Sequence, residues 1–155
     1  MPVLRAAIGE GPLDAAALSA LVDGPSAGAV VTFVGQIRDH DPEASGVVTG
    51  ISYTHHPDAA AILARLAEGL LAERDPRGEA SLVVEHRVGR LAVGDLALVA
   101  AVATPHRAEA FALCSELVER VKAEVPIWKQ QFTADGRHVW SGLADRSAPG
   151  DAHDG

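Results

Sequence analysis

The chain has 155 residues, of which 48% are hydrophobic and 22% charged, and its formal net charge is −8. This balance is typical of one folded domain with a substantial apolar core, and it argues against a disordered chain. The acidic charge disfavours a nucleic-acid surface, which needs clustered lysine and arginine, and the apolar runs are too short to cross a membrane.

The first half of the chain alternates strand and helix patterns. Val-rich or alternating runs predict strands at residues 2–8, 29–37 and 47–55. Helical spacing predicts helices at 12–22, with Pro12 in the first turn, and at 57–74. The polar segment 39–46 is predicted to be a loop. The predicted apolar faces are Leu13, Ala17 and Leu21; Val47, Thr49, Ile51 and Tyr53; and Ile62, Leu63, Leu66 and Leu70.

The second half predicts strands at 81–87 and 96–103 around a loop at 89–94, and a helix from 105 to 123. Thr104 is the expected N-cap and Pro105 the first helical residue. A hairpin follows, with strands at 127–133 and 138–141 joined by a turn at 135–136. The inner face of the helix is expected to carry Phe111, Cys114, Val118 and Val121.

This order of elements predicts an α+β fold with a mainly antiparallel sheet. Residues 1–143 are expected to form a single domain. From residue 144 to 155 the chain is polar and aperiodic, and it is expected to be a disordered tail.

The distribution of cations marks one segment. The chain has eleven arginines but only two lysines, Lys122 and Lys129, which lie seven positions apart where the predicted helix ends and a strand begins. Lysine can titrate or attack a carbonyl carbon, whereas arginine keeps its proton. Chance and solvated surface positions are the alternatives. The absence of lysine elsewhere favours a site for an anionic substrate and a reactive acyl group.

A second candidate is the helix start at His106 and Arg107. Free backbone N–H groups and the helix dipole favour an anion there, and the two side chains would add donors. The alternative is that both side chains simply lie in solvent. Cations beside a helix N-terminus are mildly unfavourable, so the anion site is the preferred interpretation.

Residues at the ends of two predicted strands are further candidates for a functional site. Arg38 follows the strand that contains Gly35, and a glycine inside a strand suggests a bulge or a close approach of another group. Taken alone, an edge arginine paired with an acid is the preferred interpretation of Arg38. His86 and Arg87 end another strand, and a structural role is preferred for them.

Metal and thiol chemistry are not expected. No His-x-x-x-His or Cys-x-x-Cys spacing occurs, so no metal site and no cofactor are predicted. Cys114 is the only cysteine, which excludes an intramolecular disulfide, and its apolar surroundings favour an inert core position. The N-terminus has no pattern of a secretory signal, so a cytoplasmic location is expected.

Five segments in order resemble the catalytic subunit family of molybdopterin synthase. They are residues 28–35, 37–40, 86–89, the His106-Arg107 pair with Ala110-Phe111, and Lys122 followed by 125–129. Together they extend over residues 28–141, most of the chain. The resemblance implies an α/β-hammerhead-type fold and a homodimer that binds two small ubiquitin-like sulfur carriers, giving a heterotetramer.

The resemblance also implies the chemistry and the roles. The carrier's C-terminal Gly-Gly tail, ending in a thiocarboxylate, would deliver two sulfurs in turn to cyclic pyranopterin monophosphate and produce the dithiolene that later holds molybdenum. Lys122 and Lys129 match the catalytic lysines and Arg38 the pocket arginine. His106 and Arg107 match an anion-binding pair supplied by the neighbouring subunit.

The chain departs from the family pattern at four positions. Thr54 and His56 stand where a glutamate and a tyrosine are frequent, Gln131 where an acid is frequent, and Arg146 is displaced along the tail. These departures bear on supporting contacts and not on the reaction class. The alternative function is a non-catalytic homodimeric module that binds a ubiquitin-like tail or an anionic metabolite.

Overall fold

The computed structural model describes residues 3–41, 44, 46–134, 136 and 138–142. The predicted tail at 144–155, with Arg146, lies outside the described residues, as does residue 135 of the predicted turn. In chain order the elements are β1 (Val3–Gly9), α1 (Ala15–Leu21), β2 (Ala29–Gln36), β3 (Val48–His55), α2 (Ala59–Arg74), β4 (Ser81–Arg87), β5 (Gly89–Ala92), β6 (Leu96–Thr104), α3 (Arg107–Glu124), β7 (Ile127–Thr133) and β8 (His138–Gly142).

The strands form two four-stranded sheets, in the orders β1-β4-β6-β2 and β5-β3-β7-β8. Only the β1–β4 pair is parallel among the described strands; the other pairs are antiparallel. The predicted α+β class and its mainly antiparallel pairing are therefore confirmed, although the strands form two sheets where the sequence predicted one.

The first sheet is covered on both faces, which explains its nearly continuous apolar strands. Leu82 and Val84 pack into the main core with α2 and α3, whereas Val83 packs with Leu18 of α1 on the other face. Because side chains alternate along a strand, successive residues of β4 serve different cores. Each fully buried leucine or valine contributes about 1.5–3 kcal/mol to folding.

Helix α1 begins later than predicted, and its buried side is different. Asp14 is the N-cap, and its carboxylate accepts a hydrogen bond of 3.0 Å from the Ala17 N–H, so Pro12 precedes the helix. The predicted face was wrong for Ala17 and Leu21, which are exposed, because Leu18 faces the sheet. A carboxylate that satisfies a free N–H of the first turn defines the helix start more strongly than proline does.

A bulge shifts the inward face of β3. Val47 is exposed and Val48 is buried, and the pairing with β7 shifts between Val48 and Gly50. The predicted alternation was therefore wrong at Val47 and Thr49, which are exposed, whereas Ile51 and Tyr53 are buried as predicted. The extra residue of a bulge changes which positions face the core.

Residues 89–92 form strand β5 and not only a loop, because they pair with Gly50–Tyr53 of β3.

Helix α3 begins at Arg107, with His106 as N-cap, and not at Pro105. Instead of capping the helix, the Thr104 hydroxyl donates to the His106 carbonyl at 2.6 Å. Phe111 was predicted to be internal but is 62% exposed, whereas Cys114, Val118 and Val121 are buried as predicted.

Candidate active site

A cavity of about 360 Å³ lies where the C-terminal end of β2 and the last turn of α3 meet the second sheet. Its lining comes from β2, β3, β4, β6, α3, β7 and the segment that follows β2. This volume falls in the range of small-molecule sites. Three cations predicted from the sequence line this one cavity: Arg38, Lys122 and Lys129.

Each of the three cations reaches the cavity from a different element. Lys122 lies in the last turn of α3 directly after Val121, which is fully buried and holds that side of the helix against the core. Lys129 projects inward from β7, and Arg38 follows the end of β2. The convergence therefore depends on tertiary packing.

The bulge predicted near Gly35 is confirmed, since the pairing of β2 with β6 shifts between Gly35 and Gln36. A Cβ atom at Gly35 would lie 3.3 Å from the Phe33 ring and 3.5 Å from the Leu98 Cβ. The missing side chain leaves room at the cavity wall, and the bulge redirects the chain towards Arg38.

The two lysines have different electrostatic surroundings. The Lys129 ammonium lies 3.4 Å from an Asp41 carboxylate oxygen, and these side chains are 18% and 13% exposed. Lys122 is exposed, and no carboxylate of the described residues forms an ion pair with it or with Arg38. A ligand anion would thus meet two cations whose charge is not already compensated by a neighbouring carboxylate.

His86 and Tyr53 form a neutral, polar part of the cavity wall. Their rings meet edge to face with centroids 5.0 Å apart. Burial and the Asp41 charge raise the pKa of Tyr53 to about 12, so its hydroxyl keeps its proton at neutral pH. Burial, together with the charges of Lys122 and His55, lowers the pKa of His86 to about 4 despite its bond to a backbone carbonyl.

The tautomer of His86 follows from its hydrogen bond. Nδ1 lies 2.7 Å from the Arg87 carbonyl oxygen, which can only accept, so Nδ1 carries the proton. In the neutral ring Nε2 is then an acceptor. Arg87 itself is bound to the Glu10 carbonyl and to Asp95, which is a structural arrangement.

His106 and Arg107 do not line this cavity. They lie at the opposite end of α3 from Lys122, and 15 residues of helix correspond to about 22 Å. His106 instead lines a smaller cavity of about 140 Å³ that also contains Arg74 and Arg77. Within one subunit the structure therefore separates this pair from the lysines.

Four polar residues of the cavity were not predicted from the sequence as site residues: Asp41, Tyr53, His86 and Gln131. Gln131 was noted only as a departure from a family pattern, and His86 was interpreted as structural. The alternation of β7 was the available signal for Gln131, because it lies two residues after Lys129 and so on the same face.

The described residues contain no group of three or more His, Cys, Asp or Glu side chains suited to a metal ion. No described helix is long and apolar enough to span a membrane. The cavity instead combines uncompensated cations, neutral hydrogen-bonding groups and an apolar wall. Such a site can bind an anionic small molecule and stabilise negative charge that develops during a reaction.

Comparison with known proteins gives a consistent result. The family described as "MoaE protein" matches residues 8–124. Molybdopterin synthase catalytic subunit 1 of Mycobacterium tuberculosis is 38% identical over 132 residues, covering 84% of this chain and 86% of the relative. The molybdopterin synthase catalytic subunit of Ralstonia nicotianae is 34% identical over 150 residues, covering 96% and 82%.

The fold comparison agrees with the sequence comparison. The crystal structure of molybdopterin synthase from Staphylococcus aureus superposes with a TM-score of 0.77 at 28% identity, covering 87% of this chain and 95% of that one. The family match spans most of the chain, including Arg38, His106, Arg107 and Lys122, and the two relatives match over more than four fifths of their length. The chain therefore belongs to the MoaE family, that of the molybdopterin synthase catalytic subunits.

Proposed function

We propose that this chain is a sulfurtransferase, the catalytic subunit of a molybdopterin synthase. Its substrate is cyclic pyranopterin monophosphate, and its sulfur donor is the C-terminal thiocarboxylate of a small ubiquitin-like carrier protein. The observation that carries the proposal is the convergence of Lys122, Lys129 and Arg38 on one cavity of about 360 Å³. The carrier as a separate subunit is supported by the relatives' designation as catalytic subunits.

The surroundings of the cations support distinct roles. The thiocarboxylate sulfur forms a bond to a pterin side-chain carbon as an oxygen substituent on that carbon leaves as water. A second water then cleaves the acyl–sulfur bond, leaving a thiol on the pterin and a carboxylate on the carrier. Lys122, exposed and without a carboxylate partner among the described residues, is suited to stabilising the negative charge of this acyl transfer. Lys129, held by Asp41, is suited to positioning the tail or the pterin.

The phosphate would bind Arg38 together with His106 and Arg107 of a second subunit. Exposed apolar surface supports a covered face: Phe111 of α3 is 62% exposed and lies beside Val31 and Phe33 of β2, an edge strand of its sheet among the described strands. Isolated exposed apolar residues are ordinary, but a group beside an open strand edge is typical of an interface. The proposed assembly is a homodimer within a heterotetramer, located in the cytoplasm.

The direct test is incubation of the purified chain with a thiocarboxylated carrier and the pterin precursor, followed by detection of the dithiolene product. The matched control uses the same carrier ending in an ordinary carboxylate, which has no sulfur to transfer and should give no product. Absence of product from a carrier that is active with an established synthase would refute the proposal.

A further inference from the structure

The cavity contains a buried carboxamide whose polar atoms have no protein partner. Gln131 is 0% exposed, and neither its Nε2 nor its Oε1 has a hydrogen-bond partner among the residues that the structure describes. Buried polar groups are almost always hydrogen-bonded, because an unmade bond leaves the full cost of desolvation. Two unpaired atoms on one side chain therefore need a physical explanation.

The strand register directs this side chain towards the cavity. In the β3–β7 pair, Ile51 lies opposite Gln131 and Tyr53 lies opposite Lys129. Directly opposed residues of antiparallel strands point to the same face, and all four of these residues line the cavity. The carboxamide is thus at the deep end of the site, whereas Arg38 and Lys122 are exposed.

The neighbouring side chains do not satisfy Gln131. Ile51 opposite it is a hydrocarbon, the Lys129 ammonium is next to Asp41, and Tyr53 meets the ring of His86. A carboxamide offers a donor and an acceptor side by side. Its complement is a group that presents an acceptor and a donor in the same arrangement.

The shape of that complement distinguishes among possible ligands. A phosphate has acceptors only and would leave Oε1 unpaired. A trans peptide group, as in a Gly-Gly tail, points its N–H and C=O in opposite directions, so one carboxamide cannot pair with both groups of the same peptide unit. A ring lactam is held cis and places its N–H and C=O on one edge, which matches the carboxamide.

We infer that Gln131 is a specificity-determining residue that recognises the lactam edge of the pterin ring, while the phosphate remains with the exposed cations. This inference rests on the proposed function for the identity of the heterocycle. The bound pterin would have a defined orientation, because its ring would enter the cavity first and its lactam edge would face β7.

The test is a binding measurement without the carrier, so that it does not depend on sulfur transfer. Titration calorimetry with cyclic pyranopterin monophosphate would compare the wild type with Gln131→Met, which keeps the side-chain length, and with Gln131→Leu. Gln130→Leu is the matched control, because the adjacent position points to the other face of β7. We expect binding to weaken by about 10- to 100-fold for both Gln131 variants, from the loss of two hydrogen bonds, and to be unchanged for the control.

Thermal unfolding provides a second readout. If the carboxamide serves a ligand and not the fold, the ligand-free Gln131→Met protein should melt at the same or a higher temperature than the wild type, because an unpaired buried polar group has been replaced by an apolar one. A lower melting temperature for both variants would show that Gln131 supports the fold, and would overturn the inference.

Two further results would also overturn it. One is unchanged binding of the pterin by both Gln131 variants. The other is weakened binding of a peptide ending in Gly-Gly while pterin binding is retained. Failure of the proposed function is distinguishable, because a wild type that binds the pterin and loses affinity on Gln131→Met, yet makes no dithiolene, supports the recognition and refutes the sulfur transfer.

Discussion

Lys122 and Lys129 illustrate how the same side chain acquires different properties from its neighbours. Lys129 is mostly buried and lies 3.4 Å from Asp41, which fixes its position and compensates its charge. Lys122 is exposed on the last turn of α3. An exposed ammonium contributes little to folding, so its removal should affect chemistry far more than stability.

Replacement of Lys122 should therefore separate catalysis from folding. We expect Lys122→Ala to lower the rate of dithiolene formation by at least about 100-fold, the usual effect of removing a charge-stabilising group, with little change in melting temperature. Lys122→Arg should also be severely impaired, because the guanidinium differs in size and does not titrate. Single-turnover assays would measure both, with Arg65→Ala, an exposed cation of α2, as control. Near wild-type turnover by Lys122→Arg would refute a catalytic role for Lys122.

His86 should make the stability of the protein depend on pH. Its pKa is lowered from 6.5 to about 4 in the folded state, so the unfolded chain binds more protons in this interval. The stabilisation is complete above pH 6.5 and is lost as the pH falls towards 4, amounting to about 3 kcal/mol. Urea unfolding at pH 7 and pH 4.5 should show that the free energy of unfolding falls further for the wild type than for His86→Asn, whose amide does not titrate. An equal fall in the free energy of unfolding for the two proteins would contradict a lowered pKa of His86 in the folded state.

The sequence could indicate the cations of the site but neither Asp41 nor the neutral groups. Lys122 and Lys129 were identifiable because lysine is rare in this chain, a property that needs no structure. The roles of His86 and Gln131 depend on burial and on the register between β3 and β7. One extra residue at the bulge near Val48 sets that register, and local patterns do not reveal it.

Among the helices and strands, the contact between β2 and the start of α3 depends on one glycine. The Gly28 N–H donates to the Thr104 carbonyl at 3.0 Å, and a Cβ at Gly28 would lie only 2.1 Å from the Pro105 carbonyl oxygen. Backbone must therefore move to accommodate any side chain at this position. The affected segment carries His106 and Arg107.

We expect Gly28→Ala to lower the free energy of unfolding by about 1–3 kcal/mol, the usual cost of overpacking. Gly24→Ala is the matched control, since a Cβ there would meet nothing within 4 Å. Denaturant titrations would measure both variants. A Gly28→Ala protein as stable as the control would show that this approach of the two backbones imposes no constraint.

Element types were largely predictable, whereas boundaries and the short strand β5 were not. The long apolar patterns of α2, β4 and β6 follow directly from burial, and the sequence identified them. Strand β5 has four residues and exists through its pairing with residues of β3 that lie 36 to 42 positions earlier in the chain. Non-local pairing of this kind overrides local turn signals such as Gly89 and Gly94.

For the complete assembly, the separation of Arg107 from Lys122 leads to a complementation experiment. If each site combines Lys122 of one subunit with Arg107 of the other, a hybrid dimer of Arg107→Ala and Lys122→Ala chains contains one intact site. Random exchange should then restore up to about a quarter of wild-type activity, since half of the dimers are hybrids with one of two sites intact. The assay requires independent proof of subunit exchange. No recovery in an exchanged mixture would contradict a shared site.

Helix α3 also constrains how the chain can change length over evolution. Its 18 residues span about 27 Å without interruption, with Arg107 at one end and Lys122 in the last turn. Inserting one residue would rotate everything beyond it by about 100° and turn Lys122 away from the cavity. No described residue between Asp41 and β3 is helical, so a change of length there would not rotate a helix. We therefore expect natural insertions and deletions to accumulate between Asp41 and Val47, and α3 to vary by substitution alone.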